Sequence, residues 1–129
     1  MMVKLTELTS KFRHVRLVLA RGKGHPEGDS HEGYDLLVPL DEHGQLDAVE
    51  WKENQSLCRV RRFRPKGEDL IGRLRRKPGG QWYFDYAQGV SDDELAFHLS
   101  DERFVQGEYI SIGNGSAMRP YRITLVEKP

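Results

Sequence analysis

The chain has 129 residues, 37% hydrophobic and 31% charged, and its twenty Lys or Arg balance twenty Asp or Glu to a formal net charge of zero. That length suits one domain; the content of large apolar side chains excludes a disordered chain, and the polar overall composition excludes a membrane-embedded one. Zero net charge excludes a polyanion binder that works by bulk charge alone. The longest apolar run near the N-terminus, Val15 to Ala20, is broken by Arg16 and is too short for a secretory leader or a spanning helix. A soluble, cytoplasmic protein without membrane contact is therefore expected.

Phe12 to Ala20 reads as a strand in which Val15, Leu17 and Leu19 alternate with His14, Arg16 and Val18. Gly22, Gly24, Pro26 and Gly28 then enforce a loop. Within it His25, Glu27, Asp29, His31 and Glu32 gather two imidazoles and three carboxylates, groups suited to a divalent metal or to an acid/base pair. The spacing of His25 and His31 fits no standard ligand pair, so a plain polar surface loop competes with the metal site, and tight metal binding is not expected. The apolar run Tyr34 to Leu40 predicts a strand buried on both faces, closed by the turn Asp41-Glu42-His43-Gly44.

Leu46 to Trp51 carries a helix start: Asp47 as cap, Glu50 reaching back, and Leu46 packing on Trp51, with a short helix over about 47–55. The same pattern recurs at Val90 to Leu95 with Ser91 as cap, predicting a second helical turn. Leu57 to Phe63, Asp69 to Arg76 and Trp82 to Ala87 read as strands. Cys58 is the only cysteine, which forbids an intrachain disulfide, and its apolar neighbours make it a buried, inert thiol. At the end, Tyr109 to Ile112 and Tyr121 to Val126 flank Asn114-Gly115, a pair suited to a tight hairpin turn. Short strands at this density predict a mostly β fold: a small β-barrel, or barrel-like sandwich, of about seven strands with two short helices, forming a single domain over 1–129.

The neutral total conceals alternating blocks. Residues 1–24 balance to +5, 25–53 to −8, 54–91 to +6, 92–108 to −5 and 109–129 to +2. Either adjacent strands interleave these blocks into surface ion pairs, or the 54–91 block stands exposed as a basic face. The segment 70–86 decides what such a face carries. A two-residue turn would put Arg73 and Arg75 beside Trp82, Phe84 and Tyr86, a cation and aromatic platform for single-stranded nucleic acid. The three-residue loop Pro78-Gly79-Gly80 flips the parity, sending Leu70, Gly72 and Leu74 to the aromatics and the arginines outward. Burial at about 1.5–3 kcal/mol per large side chain favours this second register. The candidate partner-binding residues are then Arg59, Arg61, Arg62, Arg64, Lys66, Arg73, Arg75 and Lys77. The partners such a face suits are an acidic protein surface, a weakly held nucleic acid or a second copy of the chain.

Phe104 to Ile112, followed by Arg119-Pro120-Tyr121-Arg122-Ile123, is similar to the flavin-binding barrel of ferredoxin reductase-type enzymes, in which a Gly-Gln-Tyr strand precedes an Arg-x-Tyr-Ser/Thr motif. The resemblance covers about 20 residues and implies flavin contacts at Arg119 and Tyr121. Glu108 stands where that family has glutamine and Arg122 where it has a hydroxyl residue, and no GxGxxG-like loop is present. No Ser/His/Asp constellation, phosphate-gripping glycine loop or long amphipathic helix stands out. The leading expectation is a non-enzymatic binding module that uses its basic 59–77 surface and holds no cofactor. The alternative is a small metal- or flavin-dependent enzyme built on the His25 to Glu32 loop or the C-terminal strands.

Overall fold

The computed structural model describes residues 9–22, 26–86, 94–96, 102–113 and 118–129. Eight strands are described: β1 (Phe12–Leu19), β2 (Asp29–Pro39), β3 (Arg59–Phe63), β4 (Leu70–Arg76), β5 (Trp82–Tyr86), β6 (Glu94–Ala96), β7 (Tyr109–Ile112) and β8 (Arg119–Glu127). They form one antiparallel sheet in the order β6-β5-β4-β3-β2-β1-β8-β7, so the chain meanders from β1 to β6 and returns to lay β8 beside β1. The sheet curls into an open half-barrel. Tyr34 on β2 shows the curl directly, since its ring meets Phe84 on β5 at 5.4 Å and Tyr121 on β8 at 5.0 Å. In a flat sheet β2 and β5 would lie about 14 Å apart.

The concave side is the core. Val15, Leu17, Tyr34, Leu36, Val60, Leu74, Trp82, Phe84, Ile110, Tyr121 and Ile123 are all buried there. The mostly β, barrel-like expectation is met. The run from Tyr34, expected to be buried on both faces, is buried on one: Tyr34, Leu36 and Val38 face inward while Asp35 and Leu37 are half-buried. Its strand also begins earlier, at Asp29, because the backbone there pairs with the end of β1, with a register shift between Val18 and Leu19. Gly33 sits at this crowded point. A Cβ on it would lie 1.9 Å from the Leu17 carbonyl oxygen and 2.9 Å from Cζ of Phe63, its partner on β3.

The first predicted helix is present as α1 (Ala48–Glu53), and Asp47 caps it by accepting from the Glu50 N–H at 3.1 Å. Trp51 of α1 donates from Nε1 to the Leu74 carbonyl at 2.9 Å and packs edge-on against Trp82 at 4.9 Å, which ties the helix to β4 and β5. Lys11 Nζ lies 2.8 Å from the second Asp47 oxygen. This hydrogen bond, with that from Glu50 N–H, holds the Asp47 carboxyl below its ordinary value. A depressed folded value means that the stabilisation is complete above the unfolded value near 3.9 and fades as pH falls through the lower folded one. Asp47→Ala is expected to cost about 1 kcal/mol in urea denaturation at neutral pH, a gap that closes below about pH 4. An unchanged urea midpoint at neutral pH would contradict the cap.

The second predicted helix is corrected. Residues 91–93 lie outside the described residues, but Glu94–Ala96 is strand β6, paired with Trp82–Phe84. The exposed edge of an aromatic strand offers backbone partners that outweigh a local capping pattern. The other helical piece described is a 3-10 turn at Gln55–Leu57, directly after α1. At the C-terminal hairpin, Asn114-Gly115 lies outside the described residues. Ile112 pairs with Arg119, where a two-residue turn at that pair would have matched it with Ala117. Among the described residues no helix is long and apolar enough to cross a membrane.

Candidate basic sheet face

The β4–β5 hairpin takes the three-residue loop. Lys77 N–H donates to the Gln81 carbonyl at 2.8 Å, Leu74 lies opposite Phe84, and Arg76 lies opposite Trp82. Gly80 closes the loop at φ 87°, the left-handed conformation such a loop requires. Trp82, Phe84 and Tyr86 therefore join Leu70, Gly72 and Leu74 in the core, while Arg73 is exposed and Arg75 half-buried on the convex side.

Sheet register arranges the convex face in rows. One row runs Arg16, Asp35, Arg61, Ile71; the next runs His14, Leu37, Arg59, Arg73, Asp85. In the first row Asp35 is a hub. It accepts from Nε of Arg61 at 3.2 Å and also from Arg61 Nη2, contacts His14 Nε2 at 3.1 Å and lies 3.7 Å from Arg16 Nε. Arg61 reaches Asp69 as well, at 3.0 Å, and its hydrogen bond to Asp35 raises its guanidinium above the ordinary value. Arg16 and Arg61 both cover the Phe63 ring, at 4.7 and 5.5 Å. Here the acidic and basic blocks interleave.

The second row is different. Arg59 and Arg73 are directly opposite one another; Arg59 Nε is buried without a partner, and among the described residues neither side chain forms a hydrogen bond or an ion pair. Asp85, which lies opposite Arg73 on β5, is taken by Arg75 Nε at 2.6 Å. Arg59, Ile71, Gly72, Arg73, Arg75 and Asp85 line a shallow depression of about 360 Å³. Ile71 stands 42% exposed in it.

The other basic candidates are dispersed. Arg62, adjacent to Arg61 and so on the opposite side of the strand, lies over the Tyr34 ring at 5.9 Å on the concave side. Arg64 belongs to the turn after β3 and donates to the Glu68 carbonyl at 2.9 Å, with Lys66 exposed in the same turn. Lys77 lies over the Tyr83 ring at 5.4 Å. The basic set is therefore not one face: Arg59, Arg61, Arg73, Arg75 and Lys77 share the convex side, and Arg62 does not.

His25 lies outside the described residues. Glu27 is exposed; Asp29 and His31 stand at the start of β2, where Asp29 Oδ1 accepts from the His31 backbone N–H at 2.8 Å and lies 3.4 Å from its Nδ1. Among the described residues no three His, Cys, Asp or Glu side chains gather as a metal site would require. Arg119 forms a two-pronged contact with Glu32 at 2.9 and 3.4 Å, and Tyr121 is buried with its ring against Tyr34. Both residues of the flavin-like motif are thus engaged in contacts within the barrel. Cys58 is buried, and burial pushes its thiol up to about 12.

Comparison with known proteins gives no match: no family model, no curated protein and no solved structure aligns with the chain. The feature that composition did not reveal is the opposed pair Arg59 and Arg73, fourteen positions apart in a block of many arginines. Its signal was parity together with register, and the register depends on the length of the β3–β4 connection.

Proposed function

We propose that the chain is a binding module that holds a polyanionic partner against the convex face of β3, β4 and β5, with Arg59 and Arg73 at the centre and Arg75 and Lys77 beside them. The observation that carries this reading is the unneutralised Arg59–Arg73 opposition. Like charges placed directly across two strands destabilise a sheet, and an anion supplied by a partner would convert that repulsion into binding. Exposed Ile71 adds apolar contact within the same depression.

Retention on immobilised polyglutamate and on an oligonucleotide is expected to fall steeply between low and physiological salt, because each contact displaces screening ions. Arg59→Glu/Arg73→Glu should abolish retention at every salt concentration. A double variant retained as well as the parent would remove this face as the contact.

A further inference from the structure

We infer that the partner meets this face as an extended acidic peptide with a carboxylate at every second residue, laid along β4; the inference rests on the reading of the face given above. β4 turns Ile71, Arg73, Arg75 and then Lys77 to the convex side, and the ladder carries on past the strand through the Lys77 to Gln81 hydrogen bond. Two strand residues advance about 6.6–6.8 Å, so the three cations repeat at that interval. A second chain in strand conformation has the same repeat, and its alternate side chains stay in step with all three. Carboxylates on an acidic helix, neighbours at about 5–6 Å, fall out of step and turn away with the helix. Arg59, opposite Arg73, gives the first carboxylate of the series a second guanidinium. Ile71 extends the series by one apolar position. The matching sequence is an apolar residue and three acids on alternate positions.

A nucleic acid fits the same face less well. Asp85 lies opposite Arg73 and is bonded to Arg75. A phosphate backbone brings a negative charge with every nucleotide and has no cation to set against Asp85, whereas an extended peptide along β4 carries its charges in a single row, one strand away from Asp85. Stacking is also poorly served on the convex side of β3, β4 and β5: Tyr83 is half-buried beneath Lys77, and Phe63 is buried beneath Arg16 and Arg61.

The test uses the full chain and three labelled probes at low salt: a peptide of alternating Glu and Thr, a Glu/Thr peptide with the same number of glutamates placed at every third residue, so that one face of a strand carries a carboxylate only at every sixth residue, and an oligothymidylate of equal charge, followed by fluorescence anisotropy. The alternating peptide is expected to bind about fivefold tighter than the peptide with glutamates at every third residue, which matches one of the three cations, the effect of two further exposed ion pairs held in step. It should also bind tighter than the oligothymidylate, and lose its affinity in Arg59→Glu/Arg73→Glu. Equal affinity for the two peptides, with the double variant still impaired, overturns the strand-register inference and leaves the polyanion reading standing. Tighter oligothymidylate binding overturns it in favour of nucleic acid. If no probe binds and the double variant behaves as the parent does on polyglutamate, both fall.

Discussion

Trp82→Ala is expected to cost about 3–5 kcal/mol of folding stability, the range for deleting a buried aromatic side chain. A domain of this kind has only about 5–15 kcal/mol in total, so the variant would lose a fifth of its stability or more. Trp82 is 2% exposed and packs edge-on against Trp51, so its removal opens a void where α1 meets the β4–β5 hairpin. The lost aromatic pair adds to the lost burial. Trp82→Phe should behave differently. Nε1 of Trp82 is buried without an acceptor among the described residues, while Nε1 of Trp51 has the Leu74 carbonyl. Phenylalanine gives up volume but also removes an unpaired donor, and about 1 kcal/mol is expected to be lost. Urea denaturation followed by circular dichroism separates the two variants. A loss below about 1 kcal/mol for the alanine variant would contradict the core placement of the ring.

The second large effect is at Gly33. A methyl group there falls 1.9 Å from the Leu17 carbonyl oxygen, an atom of the backbone ladder that no rotamer change can move. Gly33→Ala is expected to cost more than about 4 kcal/mol, beyond the usual range for overpacking, or to prevent folding outright. Combining it with Phe63→Ala should give no recovery. That second substitution removes only the ring, and the carbonyl contact remains. Far-ultraviolet circular dichroism with thermal melting is the measurement, and a native-like melting temperature for either variant would show that β1 and β2 can separate locally at no great cost.

The hairpin at 70–86 was legible because its two registers differ by a whole face of aromatic side chains, and burial decides between them. Asp47 was legible because a cap is a local contact within three residues of sequence. Ser91 to Leu95 used the same local vocabulary, yet Glu94–Ala96 is a strand, since the unpaired edge of β5 is a tertiary fact that no five-residue window contains. Among the site residues, strand alternation by itself places Arg61 and Arg62 on opposite sides. Which arginine faces which carboxylate depended on the β2–β3 and β3–β4 registers, and long or irregular connections do not transmit parity as a three-residue loop does. Hence Asp35 could be seen as a carboxylate beside an apolar run, but its contacts with His14 and Arg16 from β1 and Arg61 from β3 could not.

The return of β8 to β1 bears on the order in which the chain folds. From β1 to β6 each strand pairs with its neighbour in sequence, so those contacts form by closing connections of no more than 19 residues. The β1–β8 ladder instead joins Leu17 to Ile123, across most of the chain. Closing a loop of that size costs about 2 kcal/mol more in chain entropy than closing one of about ten residues. Burial of Tyr121 and Ile123, at about 1.5–3 kcal/mol each, exceeds that cost only once Tyr34 and the rest of the concave wall are in place to receive them. On loop-closure entropy, β8 is therefore expected to be the late fastening of the sheet.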